Sequence, residues 1–265
     1  MSESIFNLEG RTAVITGAGS PNGIGFASAT MLAQMGAQVY LTGASERVLD
    51  RAIELRARGF DAVASLADLT DRLQILRLVE AITERFKTVD ILINNAGMTS
   101  VIDSSTAKQE DGSLETVTIT GFENSLSRNL TSAFALTQGL LPFIKRSGSG
   151  RIVMVSSLTG SLMVMRNQVA YATSKAGLIG LTKALALDEA KSGITVNAVA
   201  PGWIATGSAT VDETGQGKIT PMGRSGTALE VASAIAWLCT TEASYITGQT
   251  LVIDGGNSIA EERSI

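Results

Sequence analysis

No histidine occurs among the 265 residues. That absence excludes Ser-His-Asp triads, Cys-His dyads and histidine-ligated metal centres. Cys239 is the one cysteine, so no intrachain disulfide forms and a thiolate metal site has too few ligands. It lies in the apolar run Ile235-Ala236-Trp237-Leu238-Cys239 and reads as a buried, inert thiol, because no imidazole is present to activate it. Charge is also sparse, at 17% of residues against a usual ~25%, so much of the chain should face protein. The net charge of −4 and a pI near 5.0, with no block of five like charges, argue against a nucleic-acid or anionic-membrane partner. No run of about 18 apolar residues is present, which excludes a spanning helix. Met1 to Leu8 carries Glu3 and no basic cluster, unlike a secretory signal. A cytoplasmic location is expected.

What is present alternates. Short apolar runs at Thr12–Thr16, Val39–Leu41, Ala62–Ala67, Ile91–Ile93, Ile152–Val155, Thr195–Val199 and Thr250–Ile253 read as seven buried strands. Between them, apolar residues recur at helical spacing: Ile24 to Met35, Ser45 to Arg58 with Ser45 as cap, Asp71 to Phe86, Phe122 to Lys145, Tyr171 to Ala190, and Leu229 to Leu238. The order predicts a three-layer, doubly wound α/β Rossmann fold on a seven-stranded, mainly parallel sheet. Ligands then belong beyond the carboxyl ends of the strands, at the switch point. One domain over 1–265 is expected, with an inserted loop at 98–120 and a tail at 257–265. The insertion contains Glu110-Asp111-Gly112 and leaves a strand on the ligand side, as a solvated loop or a partial lid. Thr206 to Pro221, rich in Gly, Ser and Thr, reads as a mobile connection on that side.

Thr16-Gly17-Ala18-Gly19-Ser20-Pro21-Asn22-Gly23-Ile24-Gly25 joins the first strand to the first helix. Gly17 permits the tight turn, while Gly23 and Gly25 let phosphate and strand approach the helix N-terminus. Glycine pairs also serve as packing turns; the place between strand and helix is what favours a dinucleotide. No Gly-Lys-Ser/Thr follows, so a Walker-type loop fails. The second strand ends Thr42-Gly43-Ala44-Ser45-Glu46-Arg47, where NAD-selective folds place a carboxylate for the ribose 2′-hydroxyl. Small residues with Arg47 behind them suit a 2′-phosphate, so NADP is preferred to NAD, although Glu46 can still turn inward.

Tyr171 and Lys175 stand four residues apart, on one helical face. A cation close to a phenol favours phenolate and draws its pKa from ~10 toward operating pH. Tyr-x-x-x-Lys alone is a chance pattern, for which a surface tyrosine beside a solvated lysine is a commoner origin than a catalytic pair. Context favours a general acid and base. Ser156-Ser157, Asn95-Ala96-Gly97 and Pro201-Gly202 each end a neighbouring strand on the ligand side. Met163, Val164 and Met165 either line an apolar pocket or pack in the core.

With these residues in order, and with Asp68-Leu69, Asn94, Asn129, Thr206 and Asp254-Gly255-Gly256, the sequence resembles the short-chain dehydrogenase/reductase family over residues 8 to 256. Within it, Tyr171 to Gly180 and Gly193 to Asn197 look most like 3-oxoacyl-acyl-carrier-protein reductases. The resemblance implies a nicotinamide cofactor and interconversion of a carbonyl and a secondary alcohol. Tyr171 would donate the proton, Lys175 would lower its pKa and hold the nicotinamide ribose, Ser157 would position the substrate oxygen, and Asn129 would hold a water. Cofactor contacts would come from Gly17, Ser20, Asn22, Gly23, Ile24 and Gly25 in the turn, and from Gly43, Ala44, Ser45 and Arg47 after the second strand. Asp68 with Leu69 would meet the adenine, Asn95, Ala96 and Gly97 the adenosine side, and Pro201, Gly202, Ile204 and Thr206 the carboxamide and phosphates. Homotetramers built on the two long helices are common in the family.

The chain departs from the family pattern in three places. Five residues separate Gly17 from Gly23 where three are usual, and a long insertion follows Gly97. Enoyl reductases share a lengthened glycine motif but place lysine further from tyrosine, and position 178 here is leucine. Leu187 and Ser192 replace arginines of the carrier-protein reductases, so an acidic carrier protein finds less attraction and a free small-molecule ketone or alcohol is favoured. An NAD-dependent alcohol or sugar dehydrogenase and a non-catalytic nucleotide-binding scaffold remain as alternatives.

Overall fold

Strand β1 (Thr12–Thr16) is buried along its whole length, because the sheet passes on both sides of it. The computed structural model describes residues 6–97, 110–207 and 209–261. Helix α1 (Ile24–Gln34) returns the chain to β2 (Gln38–Gly43), and α2 (Arg47–Ala57) returns it to β3 (Ala62–Leu66). Helix α3 (Arg72–Arg85) then crosses back to β4 (Ile91–Asn94) on the other side of β1. Next come α4 (Ile119–Leu126), a π turn at Ser127–Thr131, α5 (Ser132–Ser147), β5 (Arg151–Val155), α6 (Val169–Glu189) and β6 (Thr195–Pro201). The two-residue strands β7 (Ile204–Ala205) and β8 (Gly226–Thr227) flank α7 (Val211–Lys218). Helix α8 (Ala228–Leu238) leads to β9 (Thr250–Ile253).

The seven-stranded sheet has the order β3-β2-β1-β4-β5-β6-β9, and every pair in it is parallel. One face buries Leu32, Leu41 and Ile235 with α1 and α8; the other buries Leu78, Leu136 and Ile144 with α3 and α5. This is the three-layer Rossmann architecture, with its switch point between β1 and β4. Five strands are deeply buried, whereas the edge strands β3 and β9 are half exposed, because each has a neighbour on one side only.

Three local expectations are corrected. The predicted helix over 122–145 is interrupted by the π turn around Asn129, which shifts the side chains that follow it. The stretch 206–221 contains a helix, α7, started by a capping box in which Thr210 Oγ1 accepts from Glu213 N at 3.2 Å and Thr210 N donates to Glu213 at 2.7 Å. Ser45 does not cap α2: the helix starts at Arg47, and Ser45 Oγ accepts from Arg47 Nε at 3.2 Å. Of the insertion at 98–120, residues 98–109 lie outside the described residues, as do 262–265 of the tail. Asn257, placed in that tail, is buried, because the Asp254 carboxylate accepts from Gly256 N at 2.9 Å and Ser258 N at 2.6 Å and folds the chain back.

Candidate active site

The carboxyl ends of β1, β4 and β5 open onto one crevice, and close backbone packing shapes its floor. Gly17 has φ +66, and a Cβ there would stand 2.8 Å from Ala96 Cα. A Cβ on Gly25 would stand 2.5 Å from Asn95 Nδ2 and 2.7 Å from Gly17 O. The Asn95 amide explains this density: Nδ2 donates to Thr16 O at 2.9 Å and Gly17 O at 3.1 Å. Thr16 Oγ1 in turn accepts from Asn95 N and Ala96 N at 2.9 and 2.8 Å. Asn95 therefore clamps the glycine turn through its Nδ2.

Above the clamp, α1 begins at Gly23 with no side chain covering its first-turn N–H groups, the arrangement that attracts phosphate. The longer turn brings Gly19 beside the end of β2: a Cβ on Gly19 would lie 3.6 Å from Arg47 Cβ and 3.7 Å from Ser45 Oγ. Thr42 Oγ1, just beneath at the end of β2, is buried with no partner among the described residues. Asp68 is exposed, and its Oδ1 accepts from Thr70 N and Thr70 Oγ1 at 2.9 and 2.7 Å; that carboxylate is turned into its own loop. Gly202 N donates to Ile253 O at 2.9 Å, and Ile204 pairs with Gly226, so the strand-end residues Pro201 to Thr206 are braced by β9 and β8.

The candidate proton-transfer residues meet above β5. Ser157 lies two residues beyond the strand; its Oγ accepts from Thr159 N at 3.2 Å, and its hydroxyl is near enough to the Tyr171 phenol to lower its pKa. The connecting loop is pressed onto α6 at Gly160, φ +92, where a Cβ would stand 3.0 Å from Ala176 N. Lys175 is fully buried; its Nζ donates to Val155 O at 3.0 Å and lies 5.6 Å from the centre of the Tyr171 ring. Asn129 is buried in the π turn, where its Nδ2 donates to Ser125 O at 3.0 Å. A Cβ on Gly97 would stand 2.6 Å from Asn129 Oδ1, so the ends of β4 and α4 meet there.

Burial pushes the Tyr171 phenol above its ordinary value, the Ser157 hydroxyl pulls it back, and the charge of Glu213 raises it further. Lys175, expected to lower the phenol, is not among the groups that shift it; desolvation sets the direction. Burial also lowers Lys175, to about 8. Glu213, on the unforeseen helix α7, is bonded within its own capping box to Thr210 and acts on the phenol only through its charge; Thr210-x-x-Glu213 was the available signal. Val164 is 73% exposed and Met165 43%, so these two residues do not pack in the core.

A family model described as "Enoyl-(Acyl carrier protein) reductase" matches residues 17–258. A 3-oxoacyl-[acyl-carrier-protein] reductase of Vibrio cholerae is 39% identical over 254 residues, covering 94% of this chain and 98% of that protein. The chain belongs to the short-chain dehydrogenases/reductases. This dehydrogenase/reductase is also 38% identical to a tropinone reductase homolog of Arabidopsis thaliana, covering 97% of the chain and 94% of the relative. A crystal structure titled as a putative gluconate dehydrogenase from Agrobacterium tumefaciens superposes with a TM-score of 0.87 at 30% identity, covering 97% of this chain and 99% of that one. The protein is therefore an oxidoreductase acting on carbonyl and CH–OH groups, in a family that uses NAD or NADP. No described helix is long and apolar enough to cross a membrane. Among the described residues, no cluster of three or more metal-ligating side chains occurs.

Proposed function

We propose that this short-chain dehydrogenase/reductase is an NADP(H)-preferring carbonyl reductase in which Tyr171 is the general acid and base. The observation that carries this reading is the buried Lys175 ammonium, held by Val155 O at 3.0 Å and 5.6 Å from the Tyr171 ring centre, with the Ser157 hydroxyl beside the phenol. A bound nicotinamide supplies or accepts the hydride. Ser157 holds the substrate oxygen, and the Tyr171 hydroxyl gives its proton to that oxygen as negative charge develops on it. The raised phenol is protonated at rest, as reduction requires, and Lys175 stabilises the phenolate left behind. Asn129, behind Gly97, holds a water on the relay. Replacing Tyr171 by Phe is expected to abolish turnover and leave the cofactor dissociation constant nearly unchanged; an unaltered kcat overturns the assignment.

The NADP preference rests on Ser45 and Arg47, which face Gly19 as a hydroxyl and a guanidinium where an NAD site keeps a carboxylate. Arg47→Ala should weaken NADP binding about tenfold or more while leaving NAD binding in place. Wild-type protein that binds NAD ten times more tightly than NADP sinks the preference. The substrate is a free small-molecule ketone or alcohol: Leu187, where carrier-protein reductases show a basic residue, is 81% exposed and offers an acidic carrier no charge. A homotetramer is the expected assembly, supported by an apolar groove between α5 and α6 lined by Leu130, Phe134, Gly177, Gly180 and Leu181.

A further inference from the structure

The described end of the insertion, Glu110 to Thr118, is fastened to both helices that carry the proposed proton-transfer residues. Glu110 is 3% exposed, and Arg128 Nη1 donates to its Oε2 at 2.6 Å. Arg128 immediately precedes Asn129 in the π turn, and its carbonyl accepts from Ser132 Oγ at 2.7 Å. The next two residues reach the other helix. Gln168 Nε2 donates to Asp111 Oδ1 at 3.2 Å, and Gly112 N donates to Asn167 O at 2.8 Å. Asn167 is held at φ +61, a left-handed conformation among non-glycine residues that no other described position adopts. Gln168 then opens α6, its carbonyl accepting from Ala172 N at 2.8 Å, three residues before Tyr171.

We propose that Glu110 is a positioning residue for proton transfer. Through Arg128 it holds the π turn that presents Asn129, while Asp111 and Gly112 hold the Asn167–Gln168 turn that presents Tyr171. One strap of three consecutive residues therefore sets the separation of the two groups. Three features distinguish this from a loop that merely packs. The ion pair is buried at the carboxylate end, where few alternative partners exist. It is anchored on the residue adjoining Asn129. The backbone it braces on the other side is the left-handed turn at Asn167, whose carbonyl accepts from Gly112 N. Asp111 is raised by burial and by the neighbouring Glu110, as expected for carboxylates drawn in from solvent to make these contacts.

The inference rests on Tyr171 and Asn129 acting as proposed above, and its test separates the two ideas. In Glu110→Gln the shape is kept and the charge removed. kcat should fall about ten- to a hundredfold, with KM and the cofactor dissociation constant each within about twofold of wild type. Arg128→Met should show the same split, and the double variant should be no worse than either single one, because one interaction is lost in all three. A Glu110→Gln protein with unchanged kcat overturns the proposal. So does one in which kcat, KM, cofactor affinity and melting temperature decline together, the mark of general destabilisation. Should Glu110→Gln fail to fold, Arg128→Met, which changes the more exposed partner of the pair, replaces it with the same two outcomes. Ultraviolet titration of the phenols, with Tyr171→Phe as the blank, gives a readout free of activity. The Tyr171 titration should shift in Glu110→Gln, and an unmoved titration counts against the strap even if no substrate is turned over.

Discussion

Burial moves the phenol and the ammonium of the site in opposite directions, each toward its neutral form, and the ammonium bears a measurable cost. Lys175 falls from 10.5 to about 8 in the folded chain, so at neutral pH it remains charged inside the protein. Its folded pKa lies below its unfolded one; between those two values the unfolded chain binds more protons, and stability rises with pH. Below that window the buried cation costs roughly 3 kcal/mol, part of which the bond to Val155 O offsets. Lys175→Met removes the cation. The melting temperature of the ligand-free variant, relative to wild type, should therefore be most favourable near pH 7 and keep less than half of that advantage at about pH 9.5. Tyr171 and Cys239, both raised by burial, stay neutral in the folded chain up to about pH 9.5 and drop out of the difference. A difference that stays constant across this range would show that Lys175 is not desolvated.

At the scale of the element, the glycine turn and helix α7 respond to an added methyl group in opposite ways. Gly25→Ala places a Cβ against the Asn95 amide and the Gly17 carbonyl, and neither can retreat without releasing the clamp on β1. Such overpacking costs about 1–3 kcal/mol, and with the turn displaced, cofactor affinity should drop more than tenfold. Gly215 on α7 has nothing within 4 Å of its Cβ position; Gly215→Ala should raise the melting temperature, since alanine is favoured in a helix interior by about 0.5–1 kcal/mol. Thermal denaturation and cofactor titration of the two variants check both signs. These same elements show what the residues disclose by themselves. All seven strands were legible because each is an apolar run bounded by turn residues, and the convergence of Ser157, Tyr171 and Lys175 followed from strand ends and a four-residue spacing. The π turn was not legible, since one extra residue in a helical turn leaves the apolar periodicity of 122–145 nearly intact. Helix α7 was hidden by its glycines, although its capping box was in plain view. The raised phenol was missed because a four-residue spacing shows that Lys175 is near but does not show how little water reaches either group.

Viewed as a whole, the molecule places its chemistry at one end of the sheet and leaves an apolar face elsewhere. The α5–α6 groove, of about 380 Å³, lies on the outer surface of the helices whose inner faces bury Leu136, Leu140 and Leu178. Both helices are therefore apolar on two sides, which a solvated surface helix is not. Gly177 and Gly180 keep α6 low along this face, and Phe134, 43% exposed, stands at its margin. A second copy of the chain, presenting the same two helices in reverse, can set its Phe134 over those glycines, so that each copy fills the other's groove in a two-fold contact. A stable contact of this kind buries about 800 Å² per partner, and carboxylates introduced at its centre would be desolvated without partners. Phe134→Asp combined with Leu181→Asp should therefore reduce the sedimenting mass from a multiple of 27.6 kDa to a smaller multiple or to the single chain. The inner faces of α5 and α6, and with them the fold, should be unaltered by circular dichroism. A wild-type protein that sediments as a single chain, or a double variant whose mass does not change, would refute this face as the site of assembly.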